Sequence, residues 1–148
     1  MVATHQIDEK TQQRIESLCA EGDRLTESGD DNAALRKYYA AWELVPADKA
    51  NWEASTWISG AIGEVYFRHK KFDNALRSFR SAVRSPGGLG NPYIHLRLGQ
   101  IEFERGNLAA AGDEMTRAYM GAGEDIFANE DKKYLQYLRT VLRPPARR

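Results

Sequence analysis

Three glycines set the strongest constraint on what this chain can fold into. Gly22 is followed twelve residues later by Ala34, Gly63 by Ala75 and Gly99 by Ala111. Four residues after each alanine stands a large side chain, Tyr38, Phe79 or Met115, and three further on a small one, Ala41, Ala82 or Ala118. The first unit then meets Pro46 and the second Pro86. Matching offsets in three segments mark a repeat architecture, in which each unit buries its apolar face against the next. Glycine in a helix interior costs about 1 kcal/mol relative to alanine, yet IGEVYFRHKKFDNALRSF (62–79) otherwise reads as helix. That cost is offset if glycine and alanine lie on the two helices of one hairpin, where small residues let the backbones approach. The large residue after the alanine is then expected to fill the gap toward the neighbouring unit.

The turns of the three hairpins read ESGDD, RHKKF and ERGNL, and helices are expected near 8–28, 31–45, 49–69, 72–85, 92–105, 108–121 and 130–142. The third is long because it includes KANWEAS, which carries Trp52. Pro46, Pro86 and Pro92 fall at boundaries, where proline is tolerated, and SPGGLGNP (85–92) is a loop. A stack of hairpins exposes its last apolar face unless it is capped. EDKKYLQYLRTVL (130–142) suits that role, with Tyr134, Leu135, Leu138 and Leu142 at helical spacing and Asn129 as N-cap.

The pattern resembles the tetratricopeptide repeat (TPR) family over roughly residues 15–124. The second unit matches best, at Ile62, Gly63, Tyr66, Phe72, Ala75, Phe79 and Ala82. The third matches at Leu98, Gly99, Gly106, Leu108, Ala111 and Ala118, with Glu102 where an aromatic is usual and Phe103 beside it to compensate. The first keeps Gly22, Leu25, Gly29, Ala34, Tyr38, Ala41 and Pro46, with Asp31 where an aromatic is common. The resemblance implies an all-α fold, a right-handed α-solenoid of three helix–turn–helix repeats (about 15–48, 56–89 and 92–124) with a C-terminal capping helix. It implies a single domain over 1–142, with a disordered tail at 143–148.

Charge and motifs narrow the function classes. The net charge is zero, so nothing drives the whole chain toward nucleic acid or an anionic membrane. The balance is uneven: residues 1–50 carry six basic and ten acidic side chains, about −4, and residues 51–100 carry seven and three, about +4. Cys19 is the only cysteine, so no intrachain disulfide can form, which fits a reducing compartment. No apolar run has the length of a signal-peptide core or a membrane span, and a soluble cytoplasmic protein is expected. His5, His69 and His95 lie far apart, without a cysteine or carboxylate cluster at metal-ligand spacing. GGLGNP lacks the Gly-Lys-Ser/Thr ending of a phosphate loop. No enzyme motif is found, so no catalytic residue, metal or cofactor is expected. Arg77, Arg80 and Arg84 form a basic stripe with Lys70 and Lys71 before it, read as a solvated outer face in preference to a phosphate contact.

In TPR proteins the first helix of each unit lines a concave groove. The resemblance places Glu16, Cys19, Asp23, Thr26 and Glu27 there in the first unit. In the second it places Trp57, Gly60, Glu64, Phe67 and Arg68, and in the third Tyr93, Leu96, Gln100, Phe103 and Glu104, with Arg97 close by. Trp57, Tyr93 and Phe67 are the expected anchors, since aromatics dominate binding energy, with packing between repeats as the alternative for Phe67 and Phe103. Members that grip a C-terminal carboxylate use lysine, asparagine and arginine in this groove. Here Cys19, Asp23, Gly60 and Glu64 stand there, and the acidic side chains would repel a carboxylate. The layout resembles small bacterial TPR immunity proteins that neutralise secreted toxins. A chaperone for an exported protein, and an adaptor in a larger assembly or a nucleic-acid binder, remain open. The partner is expected to be a protein, with neither small-molecule substrate nor membrane, and an uncovered end of the stack could pair with a second copy.

Overall fold

A computed structural model describes residues 6–143, and among them the chain is helical with no strand. Helices α1 (Glu9–Glu27) and α2 (Asp31–Leu44) form one hairpin, α3 (Glu53–Arg68) and α4 (Phe72–Arg84) a second, and α5 (Pro92–Glu104) and α6 (Leu108–Ala122) a third; α7 (Lys132–Leu142) follows. The expected helix from residue 49 is interrupted. Lys49–Asn51 is a separate 3-10 turn, and Trp52 has extended backbone (φ −113°, ψ 132°) before α3 starts. A second 3-10 turn, Glu124–Phe127, has no counterpart among the sequence expectations. Residues 144–148 of the tail expected to be disordered, and His5, lie outside the described residues.

Local chemistry explains the helix ends. The carboxylates of Asp8 and Asp30 and the amide oxygen of Asn91 accept backbone N–H bonds at the starts of α1, α2 and α5, satisfying donors that have no intrahelical partner. Asp131, rather than Asn129, does this for α7 by accepting from the Lys133 amide. Each hairpin turn needs one left-handed residue, at Gly29 (φ 86°), Lys70 (φ 58°) and Gly106 (φ 84°), and the middle turn supplies it without a glycine.

Packing groups the chain into two compact units, the first ending at Pro86 and the second starting at Gly87. The core of the first holds Ile15, Leu18, Ala34, Tyr38, Ile58, Ile62 and Val65. Its repeat glycines are seats for rings. A Cβ at Gly22 would stand 2.5 Å from Tyr38 Cε1, and one at Gly63 2.7 Å from Phe79 Cε2. The expectation that the large residue fills the gap toward the neighbouring unit is therefore corrected: Tyr38 and Phe79 sit on the glycine of their own hairpin. Asp31, the departure from the aromatic pattern, accepts from Arg68 Nη2 (2.9 Å) and bonds His69 Nε2 (2.7 Å), tying the start of α2 to the end of α3. At the equivalent position of the second hairpin, Phe72 instead packs edge-on against Phe67, with centroids 6.0 Å apart.

The second unit repeats the device with Gly99, where a Cβ would stand 2.5 Å from Met115 Cγ. Its core joins Leu96, Ala111, Met115 and Ala118 to Phe127, Tyr134 and Leu138. On α7 the inward edge differs from the expected one. Tyr134 and Leu138 are buried and Leu135 packs partly, but Leu142 is 39% exposed. Val141 and Tyr137 stand beside Gly112, 3.2 and 3.5 Å from where its Cβ would be, although Val141 is itself 43% exposed.

Candidate functional site

In the first unit, a rotation of 100° per residue puts Glu9, Gln12, Glu16, Cys19, Asp23 and Glu27 along one edge of α1. Lys10 and Arg14 fall on the opposite flank, while Arg24, three residues before Glu27, borders the edge at its C-terminal end. Thr26 is partly buried beside this edge, and Glu16, Asp23 and Glu27 are exposed. Gln12 Nε2 donates to Glu16 Oε1 at 3.0 Å. Asp23 accepts the Tyr38 hydroxyl at 2.6 Å. Burial, then this carboxylate, pushes the Tyr38 hydroxyl far above its ordinary pKa. Cys19 is buried, and burial followed by the charge of Asp23 raises its thiol to about 12. It is therefore a protonated packing group at neutral pH, and not a nucleophile.

On α3 the residues Glu53, Trp57, Glu64 and Arg68 share one face. Trp57 is 38% exposed, and a Cβ at Gly60 would meet nothing within 4 Å, so the backbone there is open. Arg68 is engaged by Asp31 and Phe67 by Phe72. Trp57 forms one wall of a recess of about 470 Å³, lined also by Trp52, Ile7, Gln12, Glu53 and Pro86. Both ends of the recess are anchored: the Trp52 indole N–H donates to the Ala47 carbonyl at 3.1 Å, and the Thr56 hydroxyl to the Pro86 carbonyl at 2.7 Å. Sequence reasoning marked Trp57 but passed over Trp52 and Glu53. The signal available was KANWEAS itself, an insertion at the start of a groove helix that brings in a second tryptophan.

The second unit uses its corresponding residues differently. Tyr93 is 37% exposed, with Arg97 Cζ 5.0 Å from its ring centroid. Leu96 is buried in the core and Gln100 is fully buried. Gln100 accepts from Arg97 at 2.7 Å and donates to Glu130 Oε1 at 2.7 Å, and Arg97 also donates to Glu130. Phe103 packs edge-on against Tyr134, with centroids 5.5 Å apart, and contacts Tyr137. It thus serves α7 and does not compensate for Glu102, which is itself buried and accepts from Arg105 at 2.7 Å. Glu104 accepts from the Tyr134 hydroxyl (2.7 Å) and pairs with Lys133 (2.6 Å). Burial pulls its carboxyl pKa up, but the hydrogen bonds from Lys133 and Tyr134 outweigh that and leave it below the usual range. Arg97, Gln100, Phe103 and Glu104 are thus all engaged by Glu130 or α7, and for Phe103 this is the packing role given as its alternative.

Two further features were singled out by sequence. His95 is buried, with Nδ1 2.6 Å from Glu114 Oε2 and Nε2 2.6 Å from the Leu89 carbonyl. A carbonyl only accepts, so Nε2 carries a hydrogen, and the ring pins the 85–92 loop to α6. Arg77, Arg80 and Arg84 are exposed along α4. Arg77 borders a smaller recess of about 220 Å³ with Tyr39, Trp42 and Tyr66, aromatics that no reading of α4 alone places beside it. There the Tyr39 and Tyr66 hydroxyls lie 2.9 Å apart, and burial, then this bond, raises Tyr39 to about 12. Among the described residues no group of three or more His, Cys, Asp or Glu could hold a metal ion, and no helix is long and apolar enough to cross a membrane.

No family model and no curated protein sequence matches the chain. Among solved structures, the C-terminal TPR-containing domain of a Plasmodium falciparum FK506-binding protein is similar, with a TM-score of 0.69 at 15% identity over 93% of this chain and 91% of that one. At this identity the likeness concerns the fold, and the fold is the all-α TPR type.

Proposed function

We propose that this chain acts without catalysis, by holding and masking a partner protein in stoichiometric complex, as an immunity protein does with a bacterial toxin. The observation that carries the binding role is Trp57, a large aromatic left over a third exposed at the wall of an anchored recess on an interaction fold. Indole surface of this kind is where interface energy concentrates. Neutralisation as the purpose draws support from the sequence resemblance to small bacterial immunity proteins, and it places the chain in the cytoplasm with its target. Holding an export client is the second reading, favoured by the open backbone at Gly60, which leaves room for an extended strand.

The partner's state separates the two. Capture of the partner from the native cell, followed by hydrogen exchange on the complex, should show a folded, protected partner whose toxicity disappears on co-expression. A partner that stays unprotected along its length overturns neutralisation in favour of the chaperone reading. Failure of any protein to bind overturns both.

A further inference from the structure

The recess beside Trp57 has a chemical bias that the fold does not require. Its walls are two indoles and a proline, and the polar groups at its rim are the Glu53 carboxylate and neutral amides, Gln12 among them. Glu16 sits one turn along α1 from Gln12 and is bonded to it, and Asp23 and Glu27 continue the same edge. Lys10 and Arg14 of α1 lie away from that edge, and Arg24 borders it only at the Glu27 end, away from the recess. Arg14 and Arg24 also add to Lys37 in holding the Glu21 carboxyl below its usual range. The only cation in the sequence of α3 is Arg68, already bound by Asp31. The result is an exposed aromatic recess whose nearest charged groups are the Glu53 and Glu16 carboxylates, complementary to a cation that can also stack on a ring.

We infer that the α1–α3 face of the first unit docks an extended segment of the partner rich in arginine or lysine, with one cationic side chain lying on Trp57 within reach of Glu53 and Glu16. Tryptophan is the strongest aromatic acceptor for such a contact, and guanidinium the more frequent donor. An acidic segment is excluded by the same carboxylates, so the charge that rules out a carboxylate-gripping role selects the opposite ligand. The flanking carboxylates steer the encounter and fix its register, and the ring supplies the desolvated contact. The inference rests on the protein-binding function proposed above and names the chemistry of its partner.

The test uses the full chain and two synthetic peptides of about ten residues, long enough when extended to follow most of α1. One carries arginine at every third position; the other carries glutamate at the same places. Calorimetry at low salt should show the arginine peptide binding and the glutamate peptide not binding, with affinity falling as salt screens the face. Trp57→Ala should weaken the arginine peptide at least tenfold, and Trp57→Phe much less. Combined Glu16→Gln, Glu27→Gln and Glu53→Gln should also weaken it at least tenfold at low salt, with the deficit shrinking at high salt. All four positions are exposed, and circular dichroism of each variant should match the parent. Equal binding of both peptides, no binding of the arginine peptide, or indifference to both sets of substitutions overturns the inference. If the captured partner protein binds the chain while the arginine peptide does not, this inference alone fails. If the arginine peptide binds but no protein is captured, the proposed function fails instead.

Discussion

The groove-type edges of α3 and α5 start from the same repeat offsets and end in different states. On α3 the edge keeps Trp57 exposed and Gly60 open, beside a recess walled by a second tryptophan. On α5 Tyr93 is as exposed as Trp57, but the positions further along the edge are engaged by the chain itself: Glu130 gathers Arg97 and Gln100, and Tyr134 takes Phe103 and Glu104. The difference teaches that a repeat motif specifies how a hairpin closes but not whether its outer edge stays free. That is decided by which side chains the following segment brings. Here the segment after α6 brings a carboxylate, two tyrosines and an apolar stripe, and the second unit spends its edge on internal stability.

The largest effect should come from the feature common to both units. Gly63→Leu drives a side chain into Phe79, which already stands 2.7 Å from where a Cβ would be; overpacking typically costs about 1–3 kcal/mol, and a contact this close should reach or pass the upper end. Gly60→Ala in the same helix meets open space and should raise stability by up to about 1 kcal/mol. Thermal melts of the two variants should move in opposite directions; equal melts would remove the close-packing explanation.

Next, Leu138→Ala empties a fully buried position under α7 and should cost about 2–4 kcal/mol. Hydrogen exchange should then show lost protection in α7 and around Gln100 with α1–α4 unchanged. Loss spread evenly over the chain would erase the contrast between the units. Smaller again, Trp57→Ala should weaken partner binding by about 2 kcal/mol, while Tyr93→Ala, whose ring already serves Arg97, should cost less than about 1 kcal/mol. The reverse ranking would move the site to the second unit.

The smallest expected effect is with acid. Asp31 in the first unit and Glu104 in the second both have lowered pKa values, because hydrogen bonds from His69 and Arg68, or from Lys133 and Tyr134, outweigh burial, the largest single influence, which acts the other way. A folded pKa below the unfolded one means that the stabilising contribution is complete above the unfolded value near 4 and is lost as pH falls through the folded value. The melting temperature should therefore drop by a few degrees below about pH 4, and Glu104→Gln should blunt the drop only for α7. A rise in stability on acidification would contradict both assignments.

Much of the helix map was legible because helical periodicity, turns and caps are local. The expected boundaries for α1, α2 and α4–α6 stand within a residue or so of the observed ones. The break at Trp52 was not legible, because a single Asn51 before an apolar residue is only a weak stop signal; the backbone is extended where the indole reaches Ala47. Asn129 and Asp131 are equally good caps by composition, and the turn at Glu124–Phe127 chose between them. The role of Asp31 was equally hidden, since its partners Arg68 and His69 lie 37 and 38 residues away.

The sequence by itself determined the hairpins, because glycine, alanine and a large side chain at fixed offsets can be satisfied only by two helices in close approach. It also determined that Glu16, Asp23 and Glu27 line one edge of α1, since residues four and seven apart share an edge of a helix. Only the tertiary structure decided which edges remain available. Burial of Gln100, closure over Phe103 and Glu104, and the meeting of Trp52 with Trp57 depend on contacts between segments that local propensity does not encode. They arise where distant side chains satisfy one another's hydrogen bonds and apolar surface better than water does.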